Sequence, residues 1–182
     1  MKRPAHTLLV LLLWGCGHAA TAQQVQPGLW EIEHDIQVPD KPELNAQLGQ
    51  MRAMLKDLPP QMRGMLEQQM GQLGLGLTTG TALRVCLSPE DVKGDLIREG
   101  RTEGGCTFTR VQRQGSTWRG QVVCTEPSGK GDFVTTLVTP THYTTQAKIT
   151  SAQYGRLDLV ADVRHVSPDC GELARGTLQR TR

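Results

Sequence analysis

The first recognisable element is a β-strand between Pro27 and Val38, where apolar and polar residues alternate strictly. One face carries the apolar side chains of Trp30, Ile32, Ile36 and Val38, and the other carries Glu31, Glu33, Asp35 and Gln37. A period of two is typical of a strand that is buried on one face only. The alternation therefore predicts that a half-buried strand opens the folded part of the chain.

Residues 42–75 change to the period of an α-helix, with a leucine or methionine at every third or fourth position. The first stripe comprises Leu44, Leu48, Met51, Leu55 and Leu58, and the second comprises Met62, Leu66, Met70 and Leu73. Pro59 and Pro60 separate the stripes, because proline interrupts a helix. A glycine-rich stretch then predicts a flexible exit. We expect a helical hairpin over 42–75, inserted between two strands and lying over the open side of the sheet.

The period of two returns from Thr81 onward and predicts six further strands. Their ranges are 81–87, 105–113, 117–125, 132–138, 142–150 and 156–166. Turn sequences separate them, and Ser88-Pro89-Glu90-Asp91 is typical of a helix start. Short successive strands joined by tight turns predict a mainly β (α+β) fold. We expect an antiparallel curved meander sheet, or a half-barrel, with an inserted helical hairpin.

Residues 1–22 are typical of a cleaved signal peptide. Lys2 and Arg3 precede an apolar run that is far shorter than the about 20 residues of a spanning helix. The small residues Ala20 and Ala22 match a cleavage site that would leave Gln23 as the mature N-terminus. We therefore expect a periplasmic protein with no transmembrane segment.

A lipid anchor at Cys16 is the minor alternative for this region. Leu13-Trp14-Gly15-Cys16 resembles a lipoprotein cleavage box, but Trp14 stands where such a box requires a small residue. Acylation of Cys16 would change the location of the protein and not its fold.

The charge balance changes when the predicted signal peptide is removed. The full chain has 20 basic and 18 acidic residues, and two of the basic residues leave with residues 1–22. The absence of a net charge argues against nucleic acid as a partner, because backbone binding needs clustered cations. Length favours a single disulfide-linked β domain over 23–172, followed by a basic C-terminal tail over 173–182.

Four cysteines follow the predicted signal peptide: Cys86, Cys106, Cys124 and Cys170. Their spacing lacks the C-x-x-C pairs of zinc sites and of thioredoxin-like redox sites. An even number in an exported protein predicts two structural disulfides, and the sequence alone permits three pairings. Because Cys106 and Cys124 flank one strand–turn–strand unit, we predict the pair Cys106–Cys124 and, by elimination, the pair Cys86–Cys170.

Recognised catalytic and cofactor motifs do not occur in the sequence. We therefore expect no catalytic, cofactor-binding or metal-binding residues, and a periplasmic hydrolase without a recognisable motif is one alternative. A short repeat, Met51-Arg52-Ala53-Met54-Leu55 and Met62-Arg63-Gly64-Met65-Leu66, suggests another. Thioethers suit Cu(I), although methionines at helical spacing are more often packing or contact residues. Cu(I) handling is thus the second alternative.

Three segments resemble one known family. They are Pro27-Gly28-Leu29-Trp30-Glu31, Val85-Cys86-Leu87-Ser88-Pro89-Glu90 and Asp169-Cys170-Gly171, and they resemble the bacterial envelope proteins of domain-of-unknown-function family 3617. Ser88 stands where that family usually has threonine. The resemblance implies export and assigns no activity. We expect a non-enzymatic binding or structural module, for a hydrophobic small molecule or for an envelope protein that docks on the 42–75 hairpin.

Overall fold

The computed structural model describes residues 24–72, 75–78, 82–103 and 105–175. The predicted signal peptide 1–22 and Cys16 lie outside the described residues, as does the end of the predicted basic tail. The helices are α1 (Pro42–Lys56), α2 (Pro60–Gln72) and a 3-10 helix (Gly171–Arg175). The strands are β1 (Gly28–Gln37), β2 (Leu75–Leu77), β3 (Leu83–Leu87), β4 (Thr102–Glu103), β5 (Cys106–Gln114), β6 (Thr117–Thr125), β7 (Ser128–Thr139), β8 (His142–Ser151) and β9 (Gly155–Ser167).

These strands form one sheet in the order β2-β3-β1-β9-β8-β7-β6-β5-β4. Every neighbouring pair is antiparallel, and β4 to β9 follow one another as a meander. At the other side, β1 inserts between β9 and β3, so the beginning and end of the domain are neighbours. The predicted fold class, a mainly β half-barrel with an inserted helical hairpin, is confirmed.

The core lies inside the curl of the sheet and consists of side chains from six strands and two loops. Trp30 and Trp118 are its largest fully buried members, and Leu137 joins them at 1% exposure. The Tyr143 ring lies 5.5 Å from the Trp30 ring, and burial raises the pKa of the Tyr143 hydroxyl. Large side chains therefore fill the interior of the curled sheet.

Residues 88–101 cross over this core without forming a helix. Ser88 and Asp91 cap one turn, since the Asp91 carboxylate accepts hydrogen bonds from the Ser88 amide and hydroxyl at 2.8 Å. The turn stops at Gly94, whose φ of +92° lies outside the helical region. The predicted helix start at Ser88 is therefore wrong. The capping residues are present, but Gly94 ends the turn before a helix can form.

The same residues supply apolar contacts to the core. Ile97 belongs to the core cluster, and Val92 and Leu96 pack against it. By contrast, α1 contains no buried residue, and no described residue of the hairpin belongs to the core cluster. The structure differs here from the expectation that the hairpin covers the open side of the sheet.

The hairpin also ends earlier than expected. The second helix ends at Gln72, and Leu75–Leu77 pair with β3 as an edge strand instead of forming a flexible exit. Leu173, in the 3-10 helix, packs beside Gly76 of this strand. Ordered contacts of the sheet thus reach at least to Leu173.

Candidate functional site

The hairpin is attached to the sheet by polar side chains. Asn45 accepts a hydrogen bond from the Val38 amide at 2.8 Å and donates one to the Val38 carbonyl at 3.0 Å. Arg52 donates to the Asp35 carboxylate at 2.8 Å, so it forms an ion pair with the exposed end of β1. These contacts orient α1 without burying its apolar stripe.

Arg63 is the third attachment and joins three segments of the hairpin. Its guanidinium donates to the carbonyls of Leu55 and Lys56 at the end of α1, each at 3.1 Å. It also donates to the Thr78 carbonyl beyond β2, again at 3.1 Å. One side chain on α2 therefore satisfies helix-terminal carbonyls and fixes the hairpin against the edge of the sheet.

An apolar groove lies between the hairpin and this edge, with a volume of about 280 Å³. We call it the hairpin groove, and its lining residues are Leu55, Leu58, Arg63, Leu66, Met70, Leu77 and Leu83. All but Arg63 are apolar, and the hydrogen bonds described above already engage the Arg63 guanidinium. The groove can therefore take an apolar group but offers few polar partners to it.

The four methionines of the repeat are on the outside of the hairpin. Met51 and Met54 on α1 are 52% and 70% exposed, and Met62 and Met65 on α2 are 53% and 68% exposed. Exposed thioethers are flexible and polarisable, which is typical of adaptable contact surfaces. We call these four side chains the methionine surface. Packing against the described residues of this chain leaves each of them at least half exposed.

The four cysteines lie in two pairs at disulfide distance. Cys86 and Cys170 have Cα atoms 5.5 Å apart and connect β3 to the residue that precedes the 3-10 helix. Cys106 and Cys124 have Cα atoms 3.9 Å apart and are directly opposite each other in β5 and β6. Such pairs indicate an oxidising compartment, because cytosolic thiols are kept reduced.

One histidine has the geometry of an acid–base pair. His142 Nε2 lies 2.9 Å from Asp162 Oδ2, and Arg164 Nε lies 2.7 Å from the other oxygen of the same carboxylate. Partial burial alone would raise the pKa of Asp162, but the hydrogen bonds from His142 and Arg164 outweigh it and lower that pKa. Among the described residues no serine or cysteine hydrogen bonds to His142, so a nucleophile is not aligned with it.

Sequence reasoning found the hairpin and its methionines but not the groove. Leu77 lies in the predicted flexible exit, Leu83 lies in the predicted strand 81–87, and the sequence marks Arg63 only as a member of the repeat. Nothing in the local pattern indicates that these three residues line one groove. The described helices include none that is long and apolar enough to cross a membrane.

Comparisons with known proteins give a family and no activity. The model of the family described as "Protein of unknown function (DUF3617)" matches residues 25–170. An "Uncharacterized protein in lpd-3 5'region" from Pseudomonas putida is 36% identical over 127 residues, which covers 68% of this chain and 86% of that protein. No solved structure matches this chain significantly.

Proposed function

The chain belongs to the DUF3617 family of proteins of unknown function, and we propose that it is a non-enzymatic periplasmic binding module for a hydrophobic small molecule. The hairpin groove is the observation that carries this proposal. Its six apolar side chains come from both helices, from the turn between them and from two strands, so the groove exists only when hairpin and sheet are assembled. Its volume of about 280 Å³ is just below the range of about 300–1,000 Å³ that is typical of small-molecule sites.

The chemistry of the groove favours an apolar chain as the ligand. An acyl chain needs no hydrogen-bond partners, and burial of each of its methylene groups contributes about 0.8 kcal/mol. The Arg63 guanidinium is already engaged by three carbonyls, so it supports the groove wall instead of binding an anionic head group. We therefore expect affinity to depend on chain length and little on the head group.

A filling substitution tests the groove directly. Leu66→Trp places a large ring among the lining residues, whereas Met65→Trp adds the same ring at an exposed neighbouring position. We expect Leu66→Trp to weaken binding of a fluorescent long-chain fatty acid by about tenfold or more, a loss of about 1.4 kcal/mol. Met65→Trp should leave the affinity unchanged. Equal affinity in both variants, or no binding by the unmodified protein, would contradict the proposal.

The methionine surface supports a second candidate function, the docking of an envelope protein. Four exposed thioethers on one hairpin are costly to leave in water unless another surface covers them for part of the time. A partner with an apolar helix or strand edge would bury them and leave the groove available. This function is compatible with ligand binding because the two surfaces use different side chains.

Replacing Met51, Met54, Met62 and Met65 with leucine separates a protein partner from Cu(I) handling. Leucine nearly conserves volume and keeps helix propensity, so the fold should persist. We expect the variant to retain a partner cross-linked in the native envelope, and we expect the unmodified protein to show no tight Cu(I) binding under anaerobic conditions. Stoichiometric Cu(I) binding that disappears in the leucine variant would instead establish a copper-handling protein.

The periplasmic location rests on the predicted signal peptide and on the paired cysteines. Intact-mass measurement should give a mature N-terminus at Gln23, and an acylated Cys16 terminus would contradict it. Non-reducing peptide mapping should join Cys106 to Cys124 and Cys86 to Cys170. A peptide that joins Cys86 to Cys106 would refute the pairing, and four free thiols would refute the structural role of the cysteines.

A further inference from the structure

A second groove lies on the outer face of the sheet. Its lining includes several charged and polar side chains, whereas the lining of the hairpin groove is almost entirely apolar. The second groove spans β5 to β9 and has a volume of about 590 Å³. We call it the cation groove, because its lining includes cations from four different strands: Arg110, Lys130, Lys148 and Arg156. The near-neutral charge of the whole chain conceals this local concentration.

The register of the sheet brings three of these cations around one hydroxyl group. Lys130 is directly opposite Thr150 in β8, and Thr150 is directly opposite Arg156 in β9. Lys148 precedes Thr150 by two residues and therefore points to the same face. Side chains of directly opposed residues in a sheet have Cβ atoms about 5 Å apart. Three positive charges thus surround the Thr150 side chain.

Two carboxylates offset part of this positive charge, because the register places Asp132 and Asp158 directly opposite Lys148 on its two neighbouring strands. Asp132 accepts a hydrogen bond from Gln121 at 3.2 Å, and Asp158 lies 3.9 Å from Arg156. Arg110, Lys130 and Lys148 form no ion pair within the part of the chain that the structure describes. Four cations against these two carboxylates leave the groove with a net positive charge, which favours a bound anion.

The backbone around the groove has two unusual features. Arg110 lies at the bulge between Thr109 and Gln112 and has a φ of +53°. Residues other than glycine rarely adopt this left-handed backbone conformation. Gly131 lies so close to β8 that a Cβ atom there would be 2.0 Å from the Lys148 carbonyl oxygen. Bulges and unfavourable backbone conformations occur often where a strand aims a side chain at a functional site.

We propose that the cation groove binds a phosphate-bearing ligand through Arg110, Lys130, Lys148 and Arg156, with the Thr150 hydroxyl as an additional donor. Phosphate oxygens accept several charge-assisted hydrogen bonds at once, which matches ammonium and guanidinium groups that converge from different strands. The phosphate belongs either to a free solute or to a lipid head group, and both present the same chemistry to the groove.

Two probes distinguish these sources. The purified, disulfide-intact protein is titrated with inorganic pyrophosphate at low ionic strength, and separately with vesicles of phosphatidylglycerol and phosphatidylethanolamine, with phosphatidylcholine vesicles as the neutral control. Pyrophosphate binding without vesicle binding assigns a free solute. Binding to the anionic vesicles alone assigns a lipid head group. Absence of binding to both probes overturns the proposal.

Charge-matched variants test the groove itself. Lys130→Gln with Lys148→Gln removes two groove cations, and Lys56→Gln with Lys93→Gln removes two exposed cations that do not line it. We expect the first pair to weaken binding of the active probe by about tenfold or more, because each substitution removes a charge-assisted contact to the anion. The control pair should change it by less than about twofold. Equal losses would mean non-specific attraction and overturn the proposal.

Arg110→Asn supplies an independent test, since asparagine tolerates the left-handed conformation. The variant should bind the probe several-fold more weakly while its melting temperature stays equal or rises. Unchanged binding in this variant and in the lysine pair would show that the groove does not hold the anion.

Discussion

Residues 88–101 and the hairpin of α1 and α2 both connect strands of the sheet, but they relate to the core in opposite ways. The first segment is irregular, yet Ile97 is 8% exposed and belongs to the core cluster. The second is regular and amphipathic, yet α1 has no buried residue. Regular secondary structure and contribution to the core are therefore independent properties in this protein.

The difference lies in what each segment offers to its surroundings. Residues 88–101 place three apolar side chains over the core and satisfy their backbone groups locally, as in the Ser88–Asp91 turn. The hairpin contacts the sheet through Asn45, Arg52 and Arg63 and leaves its methionines outside. An amphipathic segment that its own domain does not bury is suited to bind something else, which is why we place function in the hairpin.

Truncation of one apolar side chain in each region should give the largest contrast. Ile97→Ala leaves a cavity in the core, and we expect it to lower the free energy of unfolding by about 2–5 kcal/mol. Met54→Ala removes a side chain that is 70% exposed, so the loss should stay within about 0.5 kcal/mol. Urea unfolding of both variants measures this difference. A large loss for Met54→Ala would show that the hairpin is covered in solution and would remove the contrast.

Removal of the Arg63 attachment should have an intermediate effect confined to the hairpin. Arg63→Met keeps an aliphatic side chain but leaves the carbonyls of Leu55, Lys56 and Thr78 without this donor. We expect a cost of about 1–3 kcal/mol. Hydrogen exchange should accelerate in α1 and α2 and stay unchanged in β6 to β8.

Arg52→Met is the matched control for Arg63→Met. It removes an exposed ion pair with Asp35, for which about 0.2–1 kcal/mol is typical. If exchange in β6 to β8 accelerates in the Arg63 variant, then the hairpin and the sheet unfold as one unit, and the two regions are less distinct than we infer.

The sequence predicted the main strands because each alternates over a sufficient length. The strand at Trp30 and the long strands β5 to β9 all carry this pattern, and the structure contains them with ends shifted by a few residues. Strands β2 and β4 have only three and two residues, which is too short for alternation to be visible. Their positions depend on pairing with β3 and β5, which a local pattern does not encode.

The candidate sites were predicted less well because they depend on residues distant in sequence. The hairpin groove joins Leu55 of α1 to Leu83 of β3, and the cation groove joins Arg110 to Arg156. Single charged residues on alternate strand positions are ordinary for a solvated face, so only the register shows that these cations converge. The cysteines were easier, since Cys106 and Cys124 flank one tight turn.

The smallest expected effect concerns the ion pair between Asp35 and Arg52, where pH should act on the hairpin alone. The hydrogen bond from Gln37 and the nearby Arg52 guanidinium hold the pKa of Asp35 below its ordinary value of 3.8. A lowered pKa in the folded state means that the contact contributes fully to stability when the pH is above the unfolded pKa, and that this contribution is lost as the pH falls through the folded pKa.

NMR shifts of α1 amides should therefore change in this acid range, with an energetic effect of about 0.2–1 kcal/mol. Asp35→Asn should abolish that change, whereas Asp40→Asn should preserve it, because Arg52 forms its ion pair with Asp35. Core amides around Ile97 should not follow the same titration, since apolar contacts hold that segment. A shared transition would mean that acid loosens the core together with the hairpin.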